Sequence, residues 1–137
     1  MTSVVSLDDN GAPNSSASLW RFLAPATPGT DVVVSFASGA YGGCGCLSAN
    51  GVDQTTPVSN TNTASGTPTA PTINVTSAVG ELAIDAIGTN TTQASPGAGQ
   101  TQFFTGSGLF GTSKGYGSYE AGAASVTLSW PSSGSWA

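Results

Sequence analysis

Short stretches in which apolar and polar residues alternate recur along the chain, each bounded by clusters of Gly, Pro, Asn and Ser. A period of two marks antiparallel strands with one covered face, and no segment carries the 3.6-residue period of a three-turn helix. The pattern predicts strands near Ser3 to Leu7, Ser18 to Leu23, Asp31 to Ala37, Cys44 to Ala49, Thr72 to Thr76, Glu81 to Ile87, Thr101 to Thr105, Tyr116 to Glu120 and Ala123 to Trp130. It also sorts faces. Val32, Val34 and Phe36 share one side of the third strand; Leu82, Ile84 and Ala86 share one side of the sixth; Val126, Leu128 and Trp130 share one side of the last. These triplets are the expected core. In the second strand Trp20 and Phe22 oppose Leu19, Arg21 and Leu23, so both sides are largely apolar. Such a strand is central, or its outer side meets a partner.

The connections carry turn chemistry. Asp8-Asp9-Asn10-Gly11 and Asn50-Gly51 suit positive φ, and Ala24-Pro25-Ala26-Thr27-Pro28-Gly29 is a proline-ordered link. Residues 54–71 form a long Ser/Thr/Pro-rich segment with little to bury, expected to run over the surface as a loop. Residues 106–119 are expected to form a second loop, rich in glycine and carrying aromatics.

Composition narrows the class. A length of 137 suits one domain spanning 1–137, and eleven aromatics with a net charge of only −5 separate the chain from disordered sequences. There is no histidine, and Arg21 and Lys114 are the only cations beside seven acids. Acid–base, nucleophilic and zinc chemistry draw on groups this chain barely has, so a non-enzymatic protein without cofactor or metal is expected. Nucleic acid and anionic membrane surfaces are excluded as partners, since both need clustered Lys and Arg. No apolar run approaches the ~20 residues of a membrane-spanning helix. The start MTSVVSLDDNG lacks the basic and apolar regions of a signal peptide. The chain is therefore expected to be made and assembled inside a cell, unless a leader has been removed.

The ordered series LWRFLAPATPGTDVVVSF, SANGVDQTTPVSNTNTASGT, TINVTSAVGELAIDAIG, PGAGQTQFF and EAGAASVTLSW resembles a β-sandwich module found repeatedly in secreted bacterial proteins and predicted phage virion proteins. The resemblance covers nearly the whole chain. It implies an all-β, antiparallel, jelly-roll-like sandwich of about eight or nine short strands. Members of that family usually begin with one or two further strands before the position of Thr2 and continue past the position of Trp136 with a final apolar strand. Set against that pattern, the sandwich is expected to be completed by a strand from a neighbouring subunit. The partners are then copies of itself or another structural protein.

Candidate chemistry is sparse. Cys44-Gly45-Cys46 admits a strained disulfide, two small buried thiols or a bond to another subunit; the buried pair is preferred, and small apolar residues at the matching family positions agree with it. Asp8, Asp9 and Asn10 could ligate calcium, but the turn accounts for them. Asp53 in GVDQTTP is expected to cap a turn through its carboxylate. Glu81 and Asp85 would share a strand face, with no sugar cleft around them. Trp20, Tyr41, Phe22, Phe110, Tyr116, Tyr119 and Trp136 are candidate interface aromatics, although two of the three tryptophans, Trp20, Trp130 and Trp136, are expected simply to fill the sandwich. The leading expectation is a structural subunit at a virion surface, a capsid decoration or cement protein or a tail-associated one. The alternative is an adhesion or carbohydrate-binding module on a bacterial cell surface or outside the cell, with a glycan as ligand.

Overall fold

The structure, a computed structural model, describes residues 1–8, 15–25, 29, 31–36, 42–110 and 113–137, with the backbone alone described at 68 and 107–110. Among the described residues there is no helix, and hence none long and apolar enough to cross a membrane. Nine strands lie in antiparallel sheets: β1 (Thr2–Asp8), β2 (Ser16–Arg21), β3 (Gly66–Thr69), β4 (Thr72–Val75), β5 (Leu82–Thr89), β6 (Thr101–Phe110), β7 (Ser113–Ala121), β8 (Val126–Ser129) and β9 (Gly134–Trp136). The fold is thus all-β, as the alternation predicts.

Among the described residues the largest sheet has the order β3-β9-β5-β7-β6, while β1 pairs only with β2 and β4 only with β8. Its centre is the long β5–β7 ladder, running in unbroken register from Leu82 opposite Ala121 to Thr89 opposite Lys114. Two apolar clusters hold the assembly together. Ala83 of β5 meets Val126 and Leu128 of β8, with Ile73 and Val75 of β4 packed against them, so the β4–β8 ribbon sits on the sheet. Ile87, Tyr116, Trp130 and Trp136 form the second cluster, with Ala64 against it. Each large side chain so buried contributes about 1.5–3 kcal/mol.

Turns are made as their residues dictate. Glu81 N–H donates to Ala78 O at 3.1 Å, with Gly80 at φ 94° in the third position of that turn. A side chain with a Cβ resists this left-handed conformation, and glycine does not. Gly51, at φ 75°, serves the Asn50-Gly51 turn in the same way.

Several expected elements are corrected. Residues 31–36 and 42–49 are not strands, and Val32, Val34 and Phe36 are exposed rather than core. Alternation tells which side chains share a face, but only a paired neighbour can cover that face. In β5 the buried face is the other one: Ala83 and Ile87 are buried while Leu82 and Ile84 are exposed. The choice turns on Asp85, which shares the Ala83 and Ile87 face and has hydrogen-bond donors waiting there; a one-residue change of facing exchanges all these side chains together. The Val126, Leu128 and Trp130 face is buried as expected. The 54–71 segment contains β3, and in the expected loop at 106–119 the described residues 106–110 and 113–119 belong to the strands β6 and β7. β9 carries no signal in the pattern, because three residues are too short to show alternation.

Candidate functional site

Two arrangements stand out, a polar buttress under the tryptophan core and an apolar face left open beside it. A buried indole N–H requires an acceptor. Trp130 Nε1 donates to Asp85 Oδ2 at 2.9 Å. Asp85 Oδ1 accepts both the backbone N–H and the hydroxyl of Ser118, each at 2.7 Å, its direct partner across the β5–β7 ladder. Gln100 extends the chain: its amide N–H donates to Ser118 Oγ at 2.7 Å and its Oε1 accepts Ser129 N–H at 2.8 Å. One carboxylate thus ties β5 and β7 to the end of β8. Burial pushes the Asp85 carboxyl above its ordinary range, against the bonds from Ser118 and Trp130 that favour the ionised form. Above it the Tyr116 and Trp130 rings are tilted at 44° with centroids 5.4 Å apart. The Tyr116 hydroxyl accepts Gln93 N–H at 3.2 Å, and the Gln93 amide exchanges two bonds with the Ser132 backbone.

The second arrangement is a set of large apolar side chains left in solvent, of which Leu82 and Ile84 lie on the other face of β5. Trp20 is 60 % exposed, Phe22 56 % and Phe36 50 %, and Val32, Leu82 and Ile84 are exposed as well. A few scattered apolar residues on a surface need no explanation, but this many large ones in so short a chain do.

The remaining candidates fall as follows. Trp20 and Phe22 are on the open face, and Tyr119 is half-buried with its ring centroid 6.5 Å from that of Phe103. Tyr116 and Trp136 are corrected: at 2 % and 7 % exposure they fill the core and have no surface to offer a partner. The Phe110 backbone pairs with Ser113 at the end of the β6–β7 hairpin; its side chain, and all of Tyr41, Asp9 and Asn10, lie outside the described residues. Cys44 and Cys46 are neither bridged nor buried; both are exposed free thiols. The physical reason is that residues 42–56 are exposed throughout and form no strand, so nothing covers the two side chains. No group of three or more His, Cys, Asp or Glu that could hold a metal ion occurs among the described residues.

Two of the exposed acids, Asp53 and Glu81, are committed to nearby turns. Asp53 Oδ1 accepts Thr55 N–H at 2.7 Å and Thr56 N–H at 2.9 Å, the turn cap its position implies, and these bonds lower its carboxyl, that of Thr56 first. Glu81 Oε2 accepts the Ser77 hydroxyl at 2.9 Å and Ala78 N–H at 2.8 Å, and the Ser77 bond leads the causes that lower it.

No protein-family model, curated protein or solved structure matches the chain. The Gln93 and Gln100 roles had no signal in the sequence, since both sit in an aperiodic Ser/Gly/Pro stretch. Asp85 did have one. It is the only charged residue in the run Leu82-Ala83-Ile84-Asp85-Ala86-Ile87-Gly88, and an acid inside an apolar strand implies donors waiting for it.

Proposed function

We propose that this chain is a non-enzymatic structural subunit that packs through its open apolar face against a second copy of itself. The observation that carries the reading is the number of large apolar side chains left in solvent: Trp20, Phe22, Val32, Val34 and Phe36, with Leu82 and Ile84 of β5. Uncharged faces lose little hydration energy when covered, and the chain has only nine charged side chains in all. The resemblance directs the assembly to a virion surface, as a decoration, cement or tail-associated protein.

The test is the native mass of the purified chain by analytical ultracentrifugation, with Trp20→Ser and Phe22→Ser together as the comparison. A dimer, trimer or larger array that falls to monomer in the double variant supports the reading. A wild-type monomer that is retained on a polysaccharide column through Trp20 overturns it in favour of a carbohydrate-binding module.

A further inference from the structure

Cysteine is among the residue types most often buried, where it behaves as a small hydrophobe. Here two cysteines stand exposed with a single residue between them. That residue is seated. A Cβ added at Gly45 would come 2.5 Å from Phe104 Cγ and 2.6 Å from its Cβ and Cδ2, so only glycine brings the backbone down onto this ring. Phe104 is held in turn, because its ring also lies against Gly106 of β6 and Gly115 of β7. The segment is anchored at its centre to the edge strand of the main sheet, with both thiols outside.

Two peptide units keep the flanking Cα atoms within about 7 Å, and a disulfide needs them about 4.4–6.8 Å apart. Closure therefore asks for a small contraction, and glycine is the residue whose φ and ψ supply it most freely. We propose that Cys44-Gly45-Cys46 is a redox-active dithiol that closes reversibly to an intrachain disulfide by exchange with low-molecular-weight disulfides. One cysteine thiolate attacks a sulfur of the small disulfide, which forms a mixed disulfide and releases one small thiolate. The second cysteine thiolate attacks the protein-side sulfur, forms the Sγ–Sγ bond and releases the other. The protein loses two electrons and two protons, and the small disulfide leaves as two thiols. Closure changes the backbone at Gly45, where it is fitted to Phe104, so the seat opposes closure, favours the reduced pair and makes the bond labile.

The full chain is equilibrated with mixtures of reduced and oxidised glutathione, quenched in acid and weighed by mass spectrometry. The expected product is two hydrogens lighter than the dithiol, carries no glutathione and stays monomeric on a non-reducing gel. Cys44→Ser and Cys46→Ser each retain one glutathione instead. Phe104→Leu shifts the balance toward the disulfide by about tenfold at a fixed glutathione ratio, whereas Phe103→Leu, whose ring rests on Gly117, does not. A wild-type chain that ends as a double adduct, as a disulfide-linked dimer or as the dithiol at every ratio overturns the proposal. An unchanged balance in Phe104→Leu overturns the role of the seat. Only covalent state is read, so the outcome is independent of whether the open face drives assembly.

Discussion

Trp130 and Trp20 belong to the same chain, lie in stretches of similar alternation and end in opposite environments, one 3 % exposed and the other 60 %. What differs is what returns to them. Trp130 receives Tyr116 from β7 against its ring, Asp85 from β5 at its indole N–H, and Pro71 O at 2.9 Å on its backbone N–H. Trp20 lies on β2, whose one ladder partner among the described residues is β1, and the segment 31–36 that follows pairs with no strand among them. Burial is decided by long-range partners, and local pattern decides only which side chains would go in together.

The comparison is broken or sharpened most strongly by truncating each ring. Trp130→Ala is expected to cost about 3–5 kcal/mol in urea unfolding, enough to unfold a domain of marginal stability. Trp20→Ala in the monomer is expected to stay within about 0.5 kcal/mol of wild type. A cost for Trp20→Ala close to that of Trp130→Ala would mean that the isolated chain covers this side chain itself, and the two regions would no longer differ in kind.

The same contrast explains what could be seen before the structure. The strands at 72–75, 82–89 and 126–129 were legible because apolar alternation there coincides with a neighbour that uses it. Residues 31–36 alternate just as clearly and form nothing, since pairing is not a local property. The outer parts of β6 and β7 are legible at 101–105 and 116–120, while the glycines between them suggest a loop, yet Gly106, Gly115 and Gly117 are where Phe103 and Phe104 press onto the sheet. Of the candidate aromatics, Trp20 and Phe22 point to the open face, whereas Tyr116 and Trp136 were displaced to the core by partners distant in sequence, Gln93 and Gly66.

Next in size is the buttress. Asp85→Asn keeps the shape but puts an NH₂ or an amide oxygen where two ionic acceptors stood, so either Ser118 or Trp130 loses its partner. The expected cost is about 1–3 kcal/mol. The pH dependence carries a sign. Burial raises the folded carboxyl of Asp85 above its unfolded value, so the proton is held more tightly in the folded state. The stability this confers is complete below the unfolded value and is lost as pH rises through the folded one. The gap between wild type and Asp85→Asn should therefore be widest in acid and narrow toward neutrality. A gap that widens toward neutrality would mean that the hydrogen bonds outweigh burial. Asp53 and Glu81 work in the opposite sense, since their carboxyls are lowered and their contributions fade as pH falls.

The smallest effect separates the two regions most cleanly, because it imposes one local strain in both. Gly51 and Gly80 each have positive φ and open space where a Cβ would go, so alanine at either meets no atom and only the left-handed backbone resists it. That resistance is about 1 kcal/mol at each site. Gly80 lies in the turn between β4 and β5, closed by Glu81 and tied to β7 through the bond from Gly122 N–H to Glu81 O at 2.9 Å. Relaxing that turn would dismantle paired strands, so Gly80→Ala should show its full cost in global unfolding. Gly51 lies in the unpaired stretch between residues 42 and 65. A region with few ladder bonds opens below the global free energy and can absorb the strain locally. Gly51→Ala should then leave global stability unchanged while altering amide exchange near Asp53. Equal losses in both variants would show that residues 42–65 unfold with the sheet as one unit, and the open face would belong to a single cooperative structure.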